Sequence, residues 1–359
     1  MRPGTAEEAA ELLRVLGDEG RPVRPRGGGT KPWGPVLEGA DVETGALDRI
    51  LEHNVGDFTA VLEAGVRLAD AQDAFAHHGQ MLALDPALDG EATVGGVMAA
   101  NDSGPLRHRY GSMRDLVVGV TVVLSDGTIA QSGGKVIKNV AGYDLAKLFT
   151  GSFGTLGLIV RVAVRLHPAP ERTATLTAES DDAGALARAA RDLAALPLEA
   201  DCLDVSWEGD SGRLDVRFGG TTAAERAHEA QRHIELGATI DEDDHELWAR
   251  MRARQRGDVV VKVAGRPTDL ESVITAAGGA GGTVVVSRAA LGISYVAGAD
   301  VAALREALAP RACTVLDGAD RADDPWPAVD PGALAVMERI KVRFDPEHTF
   351  RPGTFVGGL

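Results

Sequence analysis

Arg26-Gly27-Gly28-Gly29-Thr30-Lys31 follows a short predicted strand, Pro22–Arg26. Three successive glycines let a backbone take positive φ and lie close against a ligand. Their N–H groups can line one concavity, which is the geometry of an anion nest. Thr30 adds a hydroxyl, and Arg26 and Lys31 add positive charge. The stretch is not a Walker A loop, which ends Gly-Lys-Ser/Thr, and it lacks the Gly-x-Gly-x-x-Gly that opens a Rossmann helix. Taken alone, a flexible glycine-rich loop accounts for it equally well.

Two further constellations lie downstream. In Thr93-Val94-Gly95-Gly96 … Asn101-Asp102-Ser103-Gly104, paired glycines open a run of small residues. That pattern suits a helix start against which something flat or anionic packs, and equally an Ala-rich helix that simply packs tightly. In Gly151 … Gly154-Thr155-Leu156-Gly157-Leu158-Ile159, three glycines precede a strand. Backbone can again lie against a ligand there, although a hairpin turn would also use one or two of the glycines.

Around these loops the chain alternates strand and helix. A helix starts at Thr5, where Thr5 and Glu8 read as a capping box, and carries Ala9, Leu12, Leu13 and Leu16 at helical spacing. Strands are expected at 41–44 and 58–63 with a short helix at 46–53 between them, then a helix at 68–78. This opening suggests a small parallel sheet. Ser125-Asp126-Gly127 between 116–124 and 128–132 is a hairpin signal. After the strand 158–166, His167-Pro168-Ala169-Pro170 marks a boundary. Beyond it, strand–helix–hairpin–helix occurs twice, as in a ferredoxin-like unit. The expected organisation is 1–170, then 171–330, then a C-terminal segment 331–359 that returns to the first domain.

Composition limits what the chain can do. At 359 residues it exceeds an ordinary single core, so two domains are expected. A net charge of −16 argues against nucleic acid, which needs clustered Lys and Arg. No apolar stretch approaches the roughly 20 residues that span a bilayer. The opening MRPGTAEEAAELLRVL has acidic residues where a signal peptide needs a basic and then an apolar run, so a cytoplasmic location is expected, peripheral to a membrane at most through partners. Cys202, Cys313 and the nine histidines show no metal-ligand spacing, so no metal is expected, and the cysteines read as small buried hydrophobes.

In order and spacing, the three loops resemble the FAD-binding domain of the vanillyl-alcohol oxidase type (PCMH-type) flavoproteins. The segments Arg109–Asp115 and Gly134–Leu148, with Lys138, Asn139, Gly142, Tyr143 and Asp144, are similar to the glycolate oxidase E subunit, the FAD-binding subunit of that enzyme. The tail Phe344-Asp345-Pro346 … Phe350-Arg351-Pro352-Gly353 resembles the closing segment of the same group. The resemblance implies an α+β fold: a two-part PCMH-type FAD domain and an α/β cap domain with a ferredoxin-like antiparallel sheet. It implies that Arg26, Gly27, Gly28, Gly29, Thr30 and Lys31 face the diphosphate. Thr93, Gly95, Gly96, Asn101, Ser103 and Gly104 would line flavin and diphosphate, and Gly154, Thr155, Leu156, Gly157 and Ile159 would hold the cofactor by backbone. Relatives that attach FAD covalently carry His where this chain has Thr30, so the FAD is expected to be non-covalent. The tail of relatives reads Asn-Pro-Gly where this chain has Arg351-Pro352-Gly353.

The resemblance further implies oxidation of a small 2-hydroxy acid to the 2-oxo acid with hydride transfer to flavin. Such chemistry wants an Arg for the carboxylate and a base for the hydroxyl proton. His108, Arg109, Tyr110, Lys138 and Tyr143 supply these types, although solvated loops account for them as well. Catalytic relatives often hold a metal through cap histidines, and 171–330 shows no such cluster. That favours an accessory subunit beside a catalytic FAD subunit and an iron–sulfur subunit. The alternatives are a self-sufficient FAD-linked dehydrogenase or oxidase and a flavin-free scaffold.

Overall fold

The computed structural model describes residues 1–35, 38–88, 90–134, 144–318, 320 and 324–359. The chain divides into two compact units, one of Met1–Ser103, Gly111–Ala169 and Ala328–Leu359, the other of Gly104–Tyr110 and Pro170–Pro327. The short segment Gly104–Tyr110 thus groups with the later residues, although the sequence reading set it within 1–170.

The first unit opens with α1 (Ala6–Asp18), capped by Thr5, whose side chain accepts from Glu8 N. Glu8 does not return the bond to Thr5; its carboxylate accepts from Gly4 N at 2.7 Å. Helix α1 buries Ala9, Leu13 and Leu16, and a buried leucine contributes roughly 1.5–3 kcal/mol. Strands β1 (Val23–Arg26) and β2 (Ala40–Glu43) pair in parallel. The expected helix at 46–53 is instead β3 (Ile50–Asn54), an antiparallel partner of β4 (Thr59–Glu63) across a tight turn. Partner strands on the same sheet override the weak helical spacing of this stretch. Helix α2 (Leu68–Ala76) and β5 (Gln80–Met81) lead to α3 (Val94–Ala100), α4 (Arg107–Tyr110) and α5 (Met113–Leu116). Next come β6 (Val117–Val123), β7 (Ile129–Gly133), α6 (Leu145–Phe149), β8 (Leu158–Arg165) and β9 (His167–Pro168).

Five strands form an antiparallel sheet in the order β3-β4-β8-β6-β7. The parallel pairing expected for this region is confined to β1 and β2. Strand β8 is buried along nearly its whole length, as befits a central strand covered on both sides. One core joins α1, Val23 and Val42 to Leu158, Val160 and Phe350 of the distant tail.

The second unit contains β10 (Thr173–Ser180), α7 (Ala183–Ala195), β11 (Cys202–Glu208), β12 (Ser211–Gly219), α8 (Ala223–Arg232) and β13 (Ala238–Asp241). It continues with α9 (His245–Ala253), β14 (Val260–Ala264), α10 (Leu270–Gly279), β15 (Val284–Arg288), β16 (Ile293–Ala297), α11 (Val301–Leu308) and β17 (Ala312–Asp317). Apart from α9 this is strand–helix–strand–strand–helix–strand twice, so two ferredoxin-like units are present. They share one eight-stranded sheet, β13-β10-β12-β11-β15-β16-β14-β17, joined through the antiparallel pair β11–β15. Strand β13 has no sequence signal of its own: its residues are at most half-buried, and it exists by pairing with β10. Helices α7, α8, α10 and α11 cover one sheet face, with Leu203, Val216, Val285 and Val315 beneath them. On the other face Trp248 and Met251 of α9 pack against Cys202 and Val286. Both cysteines are buried, and neither is in a disulfide among the described residues.

The chain closes with α12 (Pro331–Phe344), capped by Asp330, which accepts from Gly332 N and Ala333 N. No helix among the described residues is long and apolar enough to cross a membrane.

Candidate functional site

A cavity of about 360 Å³ lies in the first unit. Its lining brings together the three loops read from the sequence: Arg26 to Lys31, then Thr93, Gly95 and Gly96, then Gly154, Gly157 and Ile159. The loops are more than 55 residues apart in sequence at each step, and the fold of this unit alone assembles them. Asn101, Ser103, Thr155 and Leu156 do not line the cavity. Asn101 ends α3 in a left-handed conformation (φ 49°) with its Oδ1 buried and without a hydrogen-bond partner. Ser103 is buried, its N donating to Asp102. Thr155 donates to Ser152 O, and Leu156 is buried. Gly104 belongs to the second unit.

The glycines are needed for a reason other than the one the sequence suggests. Of Gly27, Gly28 and Gly29, only Gly29 takes positive φ (71°). At Gly27 a Cβ would fall 2.1 Å from Thr93 Oγ1, and at Gly28 a Cβ would fall 1.9 Å from the Glu91 carbonyl. The loop is pressed against the segment that leads into α3, and no side chain fits between. Thr93 caps α3 by accepting from Gly96 N at 3.2 Å, and Gly95 lies so close to Ala64 that a Cβ would meet that side chain at 2.6 Å. The cavity wall is therefore backbone over much of its extent, which permits close approach of a large ligand.

The charge of the wall is positive. Arg24, which the sequence reading passed over, pairs with Asp41 at 2.8 Å across the β1–β2 register. Arg26 lies 3.8 Å from the same carboxylate. Lys31 pairs with Asp102 at 3.4 Å, both side chains being about nine-tenths buried. Phe153, in a left-handed conformation, contributes an aromatic ring that packs against Trp33 and Phe355. Arg351 and Thr354 arrive from the C-terminal tail. A cationic cavity walled by glycine backbone, with a buried polar atom of Arg351 left unbonded, fits a long ligand bearing a diphosphate.

The remaining candidates lie elsewhere. His108, Arg109 and Tyr110 are on α4, in the second unit. Burial, aided by Arg109, holds the His108 pKa below its ordinary value, and its Nδ1 is buried without a partner. Arg109 is engaged by the Glu199 carbonyl at 2.5 Å and by the Asp201 carboxylate at 3.5 Å. Burial pushes Asp201 above the usual carboxylate range, against the pull of Arg109, Arg217 and Arg226. Burial, together with the Asp201 charge, pushes Tyr110 up to about 12. Lys138 and Tyr143 lie outside the described residues. Among the described residues no group of three or more His, Cys, Asp or Glu side chains is placed to hold a metal ion.

Residues 1–133 match a family model described as an FAD binding domain. The glycolate oxidase subunit GlcD of Bacillus subtilis is 35% identical over 208 residues, which covers 56% of this chain and 44% of that protein. The D-lactate dehydrogenase of Archaeoglobus fulgidus is 38% identical over 47% of this chain and 38% of its own length. The mitochondrial D-2-hydroxyglutarate dehydrogenase of Bos taurus is 35% identical over 47% of this chain and 32% of its own. The matched part thus spans less than half the length of these relatives. A solved alkyldihydroxyacetonephosphate synthase superposes over 97% of this chain and 75% of that one, with a TM-score of 0.71 at 14% identity, a likeness of fold. Together these findings assign FAD as the cofactor. Residues 1–133 thus carry an FAD-binding domain, and about half of the chain is similar to part of a glycolate oxidase subunit and of D-lactate and D-2-hydroxyglutarate dehydrogenases.

Proposed function

We propose that this chain holds FAD non-covalently in the cavity of its first unit and serves as the FAD-binding subunit of a glycolate oxidase-like complex that oxidises a small 2-hydroxy acid to the 2-oxo acid. The reading is carried by the names of its relatives, a glycolate oxidase subunit and dehydrogenases of D-lactate and D-2-hydroxyglutarate, all of which act on 2-hydroxy acids. When bound, FAD supplies a two-electron acceptor for the hydrogen on the hydroxyl-bearing carbon. Arg26 to Lys31 set a cationic, glycine-walled loop against the diphosphate, and Thr93, Gly95 and Gly96 line the cavity beside it. Gly154, Gly157 and Ile159 line the cavity as well. A base must take the hydroxyl proton; the described candidates of that type, His108 and Tyr110, belong to the second unit. Burial and the neighbouring Arg109 lower the His108 pKa, and its Nδ1 has no hydrogen-bond partner, whereas burial raises Tyr110 to about 12. The partners in this reading are a catalytic FAD subunit and an iron–sulfur subunit, and the location is cytoplasmic.

A second reading rests on the relatives named as dehydrogenases: a self-sufficient FAD-linked dehydrogenase. Purified protein should be yellow and should bleach slowly under anaerobic glycolate or D-lactate until partner subunits are added. Bleaching of the lone chain at ordinary enzyme turnover would replace the subunit reading with the second. A colourless protein that rejects added FAD would leave a flavin-free scaffold.

A further inference from the structure

Among the described residues, the cavity wall and its immediate ion pairs comprise four cations, Arg24, Arg26, Lys31 and Arg351, and two carboxylates, Asp41 and Asp102. The first three cations lie within ion-pair distance of a carboxylate. Among the described residues Arg351 has no ion pair, and its Nε is shut off from solvent with no hydrogen-bond partner. Burial, together with the neighbouring charge of Arg24, works against its protonated state.

The position of Arg351 is rigidly set. Phe350 is fully buried and bridges to Val23, and Arg351 N donates to Val23 O at 2.9 Å. The carbonyl of Phe350 accepts from Lys341 Nζ, and its N–H donates to Asp345. Arg351 itself is held at φ 42°, a left-handed conformation uncommon outside glycine and asparagine. An unpaired, partly buried guanidinium on a strained backbone costs stability, and such arrangements persist where a ligand uses them.

We propose that Arg351 is an anion-binding residue of this cavity and pairs with the diphosphate of the cofactor. The inference rests on the reading that this cavity takes FAD. The charge balance favours the diphosphate over a substrate carboxylate, because the excess of two positive charges matches a dianion. The planar guanidinium also presents paired N–H donors to phosphate oxygens.

The test uses the full chain stripped of flavin, with FAD and uncharged riboflavin as probes, read by flavin fluorescence at several salt concentrations. Arg351→Met should weaken FAD binding about 10- to 100-fold, leave riboflavin affinity close to wild type, and flatten the salt dependence of FAD binding. Arg351→Lys should recover part of the loss. If the Met variant does not fold, Arg351→Gln, neutral and polar, takes its place with the same expectation. Unchanged FAD affinity, or equal losses of FAD and riboflavin, would overturn the proposal. So would unchanged FAD affinity with weakened glycolate or D-lactate binding, which would assign Arg351 to a carboxylate instead. Failure of the wild-type chain to bind FAD would sink the cavity reading, a different result from any of these.

Discussion

Lys341 and Asp345 form a buried ion pair one helical turn apart, with 2.6 Å between Nζ and Oδ2. Lys341 also donates to the carbonyls of Thr155 and Phe350, each at 2.7 Å. Asp345 accepts from the N–H groups of Thr349 and Phe350. One lysine thus ties the end of α12, the Gly154–Ile159 loop and the tail that carries Arg351 into a single structure. Burial lowers its pKa, and pairing with Asp345 offsets part of that.

Replacing Lys341 with Met should leave Asp345 charged, buried and unpaired. The expected loss is about 3–5 kcal/mol, visible as a lower midpoint in denaturant. A loss under about 1 kcal/mol, the range of an exposed pair, would show that the network contributes little.

Gly28→Ala places a methyl group where the Glu91 carbonyl stands. The loop and the segment before α3 must move apart, at a cost of about 1–3 kcal/mol, and flavin content should fall with it. Thr93→Ala, which removes the α3 cap without adding bulk, should cost about 1 kcal/mol. Equal stability and full flavin in Gly28→Ala would mean that the two segments are free to separate.

Thr30, whose hydroxyl forms no covalent link to a flavin, lines the cavity, and both cysteines are buried in the second unit. Acid or heat denaturation followed by filtration should release all of the flavin. Yellow colour retained on the precipitated polypeptide is the outcome that refutes this.

His108 adds a pH dependence to the second unit. Its folded pKa is depressed from the ordinary 6.5, so the fold favours the neutral ring. That stabilisation is complete above the unfolded value and is lost as pH falls through the lower folded value. Thermal melts between about pH 7.5 and 5 should show a steeper acid loss in wild type than in His108→Gln. Parallel curves would remove His108 from the account.

What the sequence determined by itself is local. Gly27 to Gly29 announced a close backbone approach, Ser125-Asp126-Gly127 announced the β6–β7 hairpin, and the repeated strand–helix–hairpin–helix pattern announced the ferredoxin-like sheet. Each is legible because turn geometry and burial period act over a few neighbouring residues. Tertiary structure decided what depends on distant partners. Residues 50–54 became β3 through pairing with β4, and 238–241 became β13 through pairing with β10. Gly27 and Gly28 proved necessary for contact with Glu91 and Thr93 more than for their own dihedral angles. Arg351 reached the cavity only because Phe350 bridges to Val23, more than 300 residues away. Cross-strand pairing and the burial of a lone charge depend on which surfaces meet, and that is settled when the chain closes on itself.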